Sequence, residues 1–217
     1  MPIHRDQDTW VADRTINFLQ SVQPDNNPFC LWTSFPDPHH PFDCPAPWNN
    51  MYDPNEVDIP EYRFRDFEIR PWWHQKLYGN DQKINPNEYT NKKLGSAARM
   101  SAQTDEQLKH MTANYYGMIS LLDYNIGRIL QTLKETNLDQ NTIIVFTTDH
   151  GELLGDHGLI LKGPTLYEGL TKVGLIINGP NIPADEIIDE PVSTLDLAAT
   201  FYDYCNVEAP AEVQSQS

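Results

Sequence analysis

Two adjacent residues at the end of a predicted strand carry side chains that bind metal ions. Asp149 and His150 follow the apolar run Thr142–Thr148, and Gly151 comes next, where it leaves room for a turn. A carboxylate beside an imidazole can ligate a divalent cation: carboxylate-rich sites suit Ca, Mg or Mn, and added histidines favour Zn. The alternative is that Asp149 caps the following turn and His150 is a surface residue. The pattern alone leaves both interpretations open.

Two further residues, both later in the chain than this pair, are of types that are common in functional sites. Lys162 follows a glycine-containing loop, where a lysine suits an oxygen of a sulfate or phosphate group. The alternative is a solvated loop lysine. His157 lies within Gly155–Gly158, and there a turn held by glycine and aspartate, with a structural histidine, is the favoured reading.

A histidine turn occurs earlier, at Pro38-His39-His40-Pro41. Prolines on both sides fix the backbone and aim the imidazoles. His39 could ligate a metal, donate to an oxyanion or protonate a leaving group. A rigid surface turn is the alternative.

The elements that must position these residues follow an α/β order. The predicted strands Phe29–Phe35 and Thr142–Thr148 both end in polar residues of the kind just described, and ligands bind at the carboxyl ends of parallel strands. Residues 42–101 are rich in proline, asparagine and aromatic residues, and predict a long irregular insertion, which is usually functional. The remaining predicted elements are a helix over Trp10–Gln20, a long helix that a capping box at Thr104–Gln107 opens, a strand over Val173–Ile177 and a helix from Ser193 toward Tyr204.

Charge and composition exclude several classes of protein. The 217 residues include 31 acidic and 15 basic ones, for a net charge of −16, which argues against a nucleic-acid or anionic-membrane surface. No apolar run is long enough to span a membrane. The three cysteines, Cys30, Cys44 and Cys205, form no disulfide framework, so we predict a reducing, cytoplasmic location.

Five blocks of sequence together resemble the sulfatases, which belong to the alkaline phosphatase superfamily of α/β metallohydrolases. The form of these blocks is most similar to the bacterial arylsulfatase and phosphonate monoester hydrolase branch of the family. The blocks are Ser34–Phe42, Ala113–Asp123 together with Ile126–Leu130, Asn141–Glu152, Leu154–Gly158 and Lys162–Gly169.

The resemblance implies a fold, an activity and roles for individual residues. The fold is a partial alkaline-phosphatase-like one, a mostly parallel sheet flanked by helices, in one incomplete domain over residues 1–217. Asp149 and His150 match the metal ligands, for Ca or Mn, while Lys162 and His39 match residues that act on the substrate in catalysis. We also predict His157 as a substrate-binding residue. The substrate is a small anionic ester, either a sulfate ester or, as the alternative, a phosphonate or phosphate monoester.

The departures from the family matter as much. Sulfatases use a Cys or Ser in a Cys-x-Pro-x-Arg type motif, oxidised to formylglycine, as the nucleophile, whereas Cys44 stands in Cys44-Pro-Ala-Pro-Trp48. We therefore expect a C-terminal-side part of a catalytic domain, inactive by itself, with weak or no metal binding. An exposed sheet edge is expected to favour homo-oligomers. A non-catalytic truncated domain is the competing hypothesis.

Overall fold

The computed structural model describes residues 6–23, 28–61, 104–163 and 165–217. They form two compact units, which divide between Pro180 and Asn181. The first unit contains the helices α1 (Gln7–Ser21), α2 (Asp105–Glu135) and α3 (Glu168–Thr171) and the strands β1 (Ile144–Thr147) and β2 (Leu175–Asn178), and the second contains helix α4 (Asp196–Tyr204). Short 3-10 helices occur at Trp48–Asn50, Pro54–Glu56, Leu138–Asn141 and Asp156–Gly158.

Helix α2 begins with the capping box that the sequence predicts. The Gln107 backbone N–H donates to the Thr104 hydroxyl over 3.2 Å, and the Thr104 N–H donates to the Gln107 side-chain oxygen over 3.0 Å. These two bonds satisfy N–H groups that no helical carbonyl can reach. The prediction of a long helix opened at Thr104 is confirmed.

The buried face of α2 is rotated from the one that the apolar residues alone predict. Met118 and Leu121 are fully buried, whereas Ile119, which the apolar spacing places on the core face, is 42 % exposed. Small and polar residues complete the buried face and satisfy their own polar groups: the Thr112 hydroxyl donates to the Leu108 carbonyl. A face built partly from such residues escapes a hydrophobic pattern.

Helix α1 packs along this face. Its first turn is capped by Asp6, which accepts a hydrogen bond from the Thr9 N–H over 3.0 Å. Farther along, Arg128 of α2 donates to the Asp13 carboxylate over 2.6 Å. The two helices are therefore joined by packing and by a charged hydrogen bond, and α1 lies in a fixed position on α2.

The two strands pair with each other in antiparallel orientation, with Phe146 opposite Ile176. The prediction of a mostly parallel sheet is not confirmed by the described strands. Strands of such a sheet are buried on both faces, and this implied burial is wrong, because Phe146 is 38 % exposed and Ile176 is 63 % exposed. Each strand pairs only with the other in the described ranges, which leaves the outer edge of each without a ladder partner there. Self-association through an exposed edge stays a prediction.

The predicted buried strand over Phe29–Phe35 is also wrong. Residues 28–36 belong to no strand, and Trp32 is 80 % exposed. A strand needs a neighbour for its backbone hydrogen bonds, and this segment has no ladder partner in the described part of the chain. Of the predicted irregular insertion, residues 42–61 contain only two short 3-10 helices, while 62–103 lie outside the described residues.

Within the described ranges, no helix combines the length and the apolar character that a membrane crossing requires.

Gly117 and Gly127 make a matched pair of test positions in the middle of α2. A Cβ at Gly117 would lie 2.5 Å from the Trp48 carbonyl oxygen and 2.9 Å from the Cys44 sulfur, whereas one at Gly127 would meet nothing within 4 Å. We predict that Gly117→Ala lowers the free energy of unfolding by about 1–3 kcal/mol because of this overlap. Gly127→Ala should raise it by up to about 1 kcal/mol, since alanine favours helix.

Urea denaturation of the two variants beside the parent chain measures both effects. Equal stability of the two alanine variants would contradict the close approach at Gly117.

Candidate functional site

Asp149 and His150 lie directly beyond β1 and face each other. The Asp149 Oδ2 atom is 3.6 Å from the His150 Nε2 atom, and 86 % of the Asp149 side chain is exposed. The His150 Nδ1 atom lies 2.9 Å from the Gly151 carbonyl oxygen. A carbonyl only accepts, so Nδ1 carries the proton, and in the neutral ring the Nε2 lone pair is left beside the carboxylate. A metal-ligating histidine is commonly oriented in this way.

Gly151 allows the segment after β1 to pack against α3. Its N–H donates to the Leu170 carbonyl over 2.9 Å. A Cβ at this position would overlap the Gly169 carbonyl oxygen, so a side chain does not fit. The position of His150 thus depends on a glycine that follows it.

Lys162 lies beside Glu152, a carboxylate that the sequence did not single out. The Lys162 ammonium nitrogen is 3.9 Å from the Glu152 Oε2 atom, and only 4 % of the Glu152 side chain is exposed. Burial raises the pKa of Glu152, while the Lys162 charge and the backbone N–H of Leu153 act in the opposite direction. The sequence held one signal for this residue, its place directly after Asp149-His150-Gly151, but nothing in the pattern predicted its partner.

His157 is held by its neighbours in a 3-10 turn. Its Nε2 atom lies 3.6 Å from the Asp156 carboxylate, and its ring centroid is 4.0 Å from that of Tyr167. The residue has a positive φ of 53°, a conformation that histidine adopts more readily than most residues. This placement agrees with a structural role, and its predicted contact with substrate stays a prediction.

His39 lies in a tight turn and is exposed. Its backbone N–H donates to the Pro36 carbonyl over 3.0 Å. The Nδ1 atom is 2.7 Å from the His40 carbonyl oxygen and therefore donates to it, and the two rings stack with centroids 4.1 Å apart. The backbone of the turn thus sets the direction of the His39 ring.

Helix α2 connects this turn with the segment after β1. Phe42, just beyond the turn, contacts Tyr115 of α2 edge to face, with ring centroids 5.6 Å apart. Burial and the charge of Glu152 raise the pKa of Tyr115 to about 12, so this phenol lies near the carboxylate that holds Lys162. Nearer the start of α2, Leu108 fills the space beside Gly155. The two groups of predicted site residues rest on the same helix.

The described residues bring the predicted site together only in part. Asp149 and His150 form one pair, and Lys162 is joined to Glu152. In those same ranges, no group of three or more His, Cys, Asp or Glu side chains is arranged to hold a metal ion. The pair fits a divalent cation by its chemistry, one carboxylate and one imidazole, and supplies two donors.

Comparison with known proteins decides the family. Residues 2–207 match the sequence profile of the family described as Sulfatase. The chain belongs to the sulfatase family. This confirms the resemblance that the five sequence blocks carry.

Individual relatives agree with this assignment. The chain is 32 % identical over 212 residues to an arylsulfatase of Clostridium perfringens, matching 96 % of the chain and 40 % of that protein. It is 30 % identical over 205 residues to the uncharacterized sulfatase YidJ of Escherichia coli, matching 93 % of the chain and 37 % of the relative. The chain thus spans about two fifths of the length of these curated relatives.

A solved structure supports the fold of this sulfatase chain. The phosphonate monoester hydrolase SpPMH from Silicibacter pomeroyi superposes with a TM-score of 0.69 at 30 % identity, over 83 % of the chain and 34 % of that protein. The alkaline-phosphatase-like fold is therefore confirmed at the level of the family.

Metal titration tests the Asp149–His150 pair. With two protein donors of the roughly six that Ca²⁺ requires, we predict a dissociation constant of about 10⁻⁴ M or weaker for Ca²⁺ or Mn²⁺. Asp149→Asn should raise this dissociation constant further, whereas Asp189→Asn, at an exposed residue of the second unit, should leave it unchanged. Isothermal titration calorimetry gives the constants, and a tight single site, or one indifferent to Asp149→Asn, would contradict the prediction.

Proposed function

We propose that this chain provides the metal-binding and oxyanion-binding part of a sulfate ester hydrolase. The observation that carries the proposal is the arrangement of Asp149 and His150 at the end of β1. The Nδ1 atom of His150 donates to the Gly151 carbonyl, which leaves Nε2 as a possible metal donor, 3.6 Å from the Asp149 carboxylate. The chain that carries this arrangement is a member of the sulfatase family.

Asp149 and His150 would hold the divalent metal that sulfatases generally use. When bound, such an ion acts as a Lewis acid and neutralises charge on the oxygens of the ester. The exposure of Asp149 keeps its carboxylate accessible to an ion from solvent. Ca²⁺ and Mn²⁺ both suit a site that includes a carboxylate, and Mn²⁺ also accepts an imidazole.

Lys162 would bind an oxygen of the sulfate group. Its stem is largely buried and its ammonium group lies beside Glu152, which limits the positions that the charge can take. A lysine held in this way can stabilise a tetrahedral anion without reorganising. His157, on the loop between Glu152 and Lys162, is a second candidate contact for the substrate.

In its imidazolium form, with a proton on each ring nitrogen, His39 would donate from Nε2 to the sulfate and assist the leaving oxygen. Since its Nδ1 atom donates to the His40 carbonyl, its Nε2 atom is the one available to a substrate. The exposed position of the ring is compatible with such access.

Cys44 does not have the properties of an activated nucleophile. Burial, together with the charges of Asp37, Asp43 and Asp6, raises the pKa of its thiol to about 11, so the group stays protonated at neutral pH. Its sulfur lies against α2, 4.0 Å from the Asn114 carbonyl oxygen. These properties argue against a thiolate nucleophile at Cys44, and a nucleophile supplied by further polypeptide stays a prediction.

Hydrolysis of phosphonate monoesters is the second candidate. The specific support is the match to the phosphonate monoester hydrolase SpPMH. Sulfate, phosphonate and phosphate esters all present a tetrahedral anion, so the same metal pair and lysine serve each of them.

Complementation tests the proposal. The purified chain is assayed on 4-nitrophenyl sulfate with Ca²⁺ or Mn²⁺, alone and with a separately expressed N-terminal sulfatase segment that carries the oxidised Cys-x-Pro-x-Arg motif. We predict no turnover by the chain alone and turnover with the segment. Lys162→Ala should then lower the rate by about 10²–10³-fold, and Lys172→Ala, at an exposed lysine, should not.

The other outcomes discriminate among the hypotheses. Turnover of a phenylphosphonate ester in preference to the sulfate favours the second candidate. Turnover by the chain alone that Asp149→Ala abolishes defeats the expectation that a nucleophile is missing. No turnover of any ester in the complemented mixture supports a non-catalytic domain.

A further inference from the structure

A buried carboxylate of α1 contacts the residue that precedes the histidine turn. The Asp8 side chain is fully buried in the first turn of α1, and its Oδ1 atom accepts a hydrogen bond from the Asp37 backbone N–H over 3.4 Å. Asp37 immediately precedes the Pro38–Pro41 segment that carries His39. A single side chain thus connects the core helix pair with the start of the turn.

The second oxygen of Asp8 requires a donor. Asp8 Oδ2 is buried, and no backbone N–H, side-chain N–H or hydroxyl group of the described residues donates to it. The carboxyl groups of Asp8 and Asp37 are near enough for each to shift the pKa of the other. Two carboxyl groups can form a hydrogen bond only when one of them carries a proton, and that proton satisfies a buried acceptor which otherwise costs free energy.

We propose that Asp8 is a positioning residue, which fixes the His39 turn on α1 through one proton shared with Asp37. While the proton is present, the turn is held by two contacts: the Asp37 N–H on Asp8 Oδ1 and the carboxyl-to-carboxylate bond on Asp8 Oδ2. Loss of the proton places two negative charges side by side, and the turn separates from α1. The importance of Asp8 for catalysis rests on the proposed role of His39. The effect of Asp8 on the position of the turn does not depend on that role.

The surroundings of the pair favour the protonated state. Burial is the main cause that raises the pKa of Asp37 to about 8, and the neighbouring carboxylates of Asp8, Asp6 and Asp43 raise it further. The pKa of Asp8 is raised as well, mainly by burial. The only other titratable neighbour with a shifted pKa in the described ranges is the thiol of Cys44, which stays protonated. The two carboxyl groups titrate as a pair.

The consequence for stability has a definite sign. In the unfolded chain Asp37 loses its proton near pH 4, whereas in the folded chain it keeps it to about pH 8. Between these values the folded state binds more protons, so the free energy of unfolding falls as the pH rises. The contribution is complete below about pH 4 and is lost above about pH 8.

Carbon-detected NMR of the full chain tests the proposal without an activity assay. We expect the Asp37 carboxyl carbon to titrate with a midpoint near pH 8, and the carbonyl and nitrogen signals of Pro38 and His39 to shift with the same midpoint. In Asp8→Asn the side-chain amide donates to Asp37 and removes a negative charge. The Asp37 midpoint should then fall by two pH units or more, and the step near pH 8 should vanish from the turn.

Two further variants make the outcome decisive. Asp37→Asn replaces the proton by an amide hydrogen, so we expect a turn signal and a urea midpoint that no longer change between pH 5 and pH 8. Asp58→Asn, at an exposed residue of the same loop region, should behave as the parent chain. If the Asp37 carbon titrates only in the acidic range, or the turn step persists in both Asp8→Asn and Asp37→Asn, the proposal is overturned. Failure of the sulfatase assay would leave it intact.

Discussion

The close approach of α2 to the loop at Cys44–Trp48 is the constraint on which the site depends. At Gly117 the helix backbone and the Trp48 carbonyl leave no room for a side chain. This contact holds the loop against α2, and Phe42 of the same loop contacts Tyr115 two residues earlier in the helix. Tyr115 lies near Glu152, which holds Lys162. The histidine turn and the segment beyond β1 therefore share one rigid support.

Electrostatics adds a second constraint. A chain with a net charge of −16 that is proposed to bind an anion must keep buried carboxylates from repelling it. Glu152 is offset by Lys162, and the pKa of Asp37 is raised to about 8, so that a proton removes its charge over much of the physiological range. Glu152 thus lies beside a cation, and the Asp8–Asp37 pair carries one negative charge rather than two while it shares a proton.

Much of the architecture was predictable because local signals encode it. The capping box fixed the start of α2, and the strand-end position of Asp149 and His150 follows from the apolar run before them. The pairing of the strands and the irregular structure of residues 29–35 could not be predicted. Strand pairing is a long-range property, and apolar β-branched runs do not specify their partners. The roles of Glu152 and Asp8 could not be predicted from the sequence, for a related reason. Their roles come from burial and from partners distant in sequence or hidden in a loop.

The claim that α2 holds both groups of residues in one site can be tested with a paramagnetic ion. Mn²⁺ that exchanges at the Asp149–His150 pair should broaden the NMR signals of His150, and also those of Lys162 and His39, since the contacts of Tyr115 link both to one part of α2. The signals of Leu133, near the opposite end of α2, should stay sharp. Broadening of His150 without any effect on Lys162 and His39 would contradict the account.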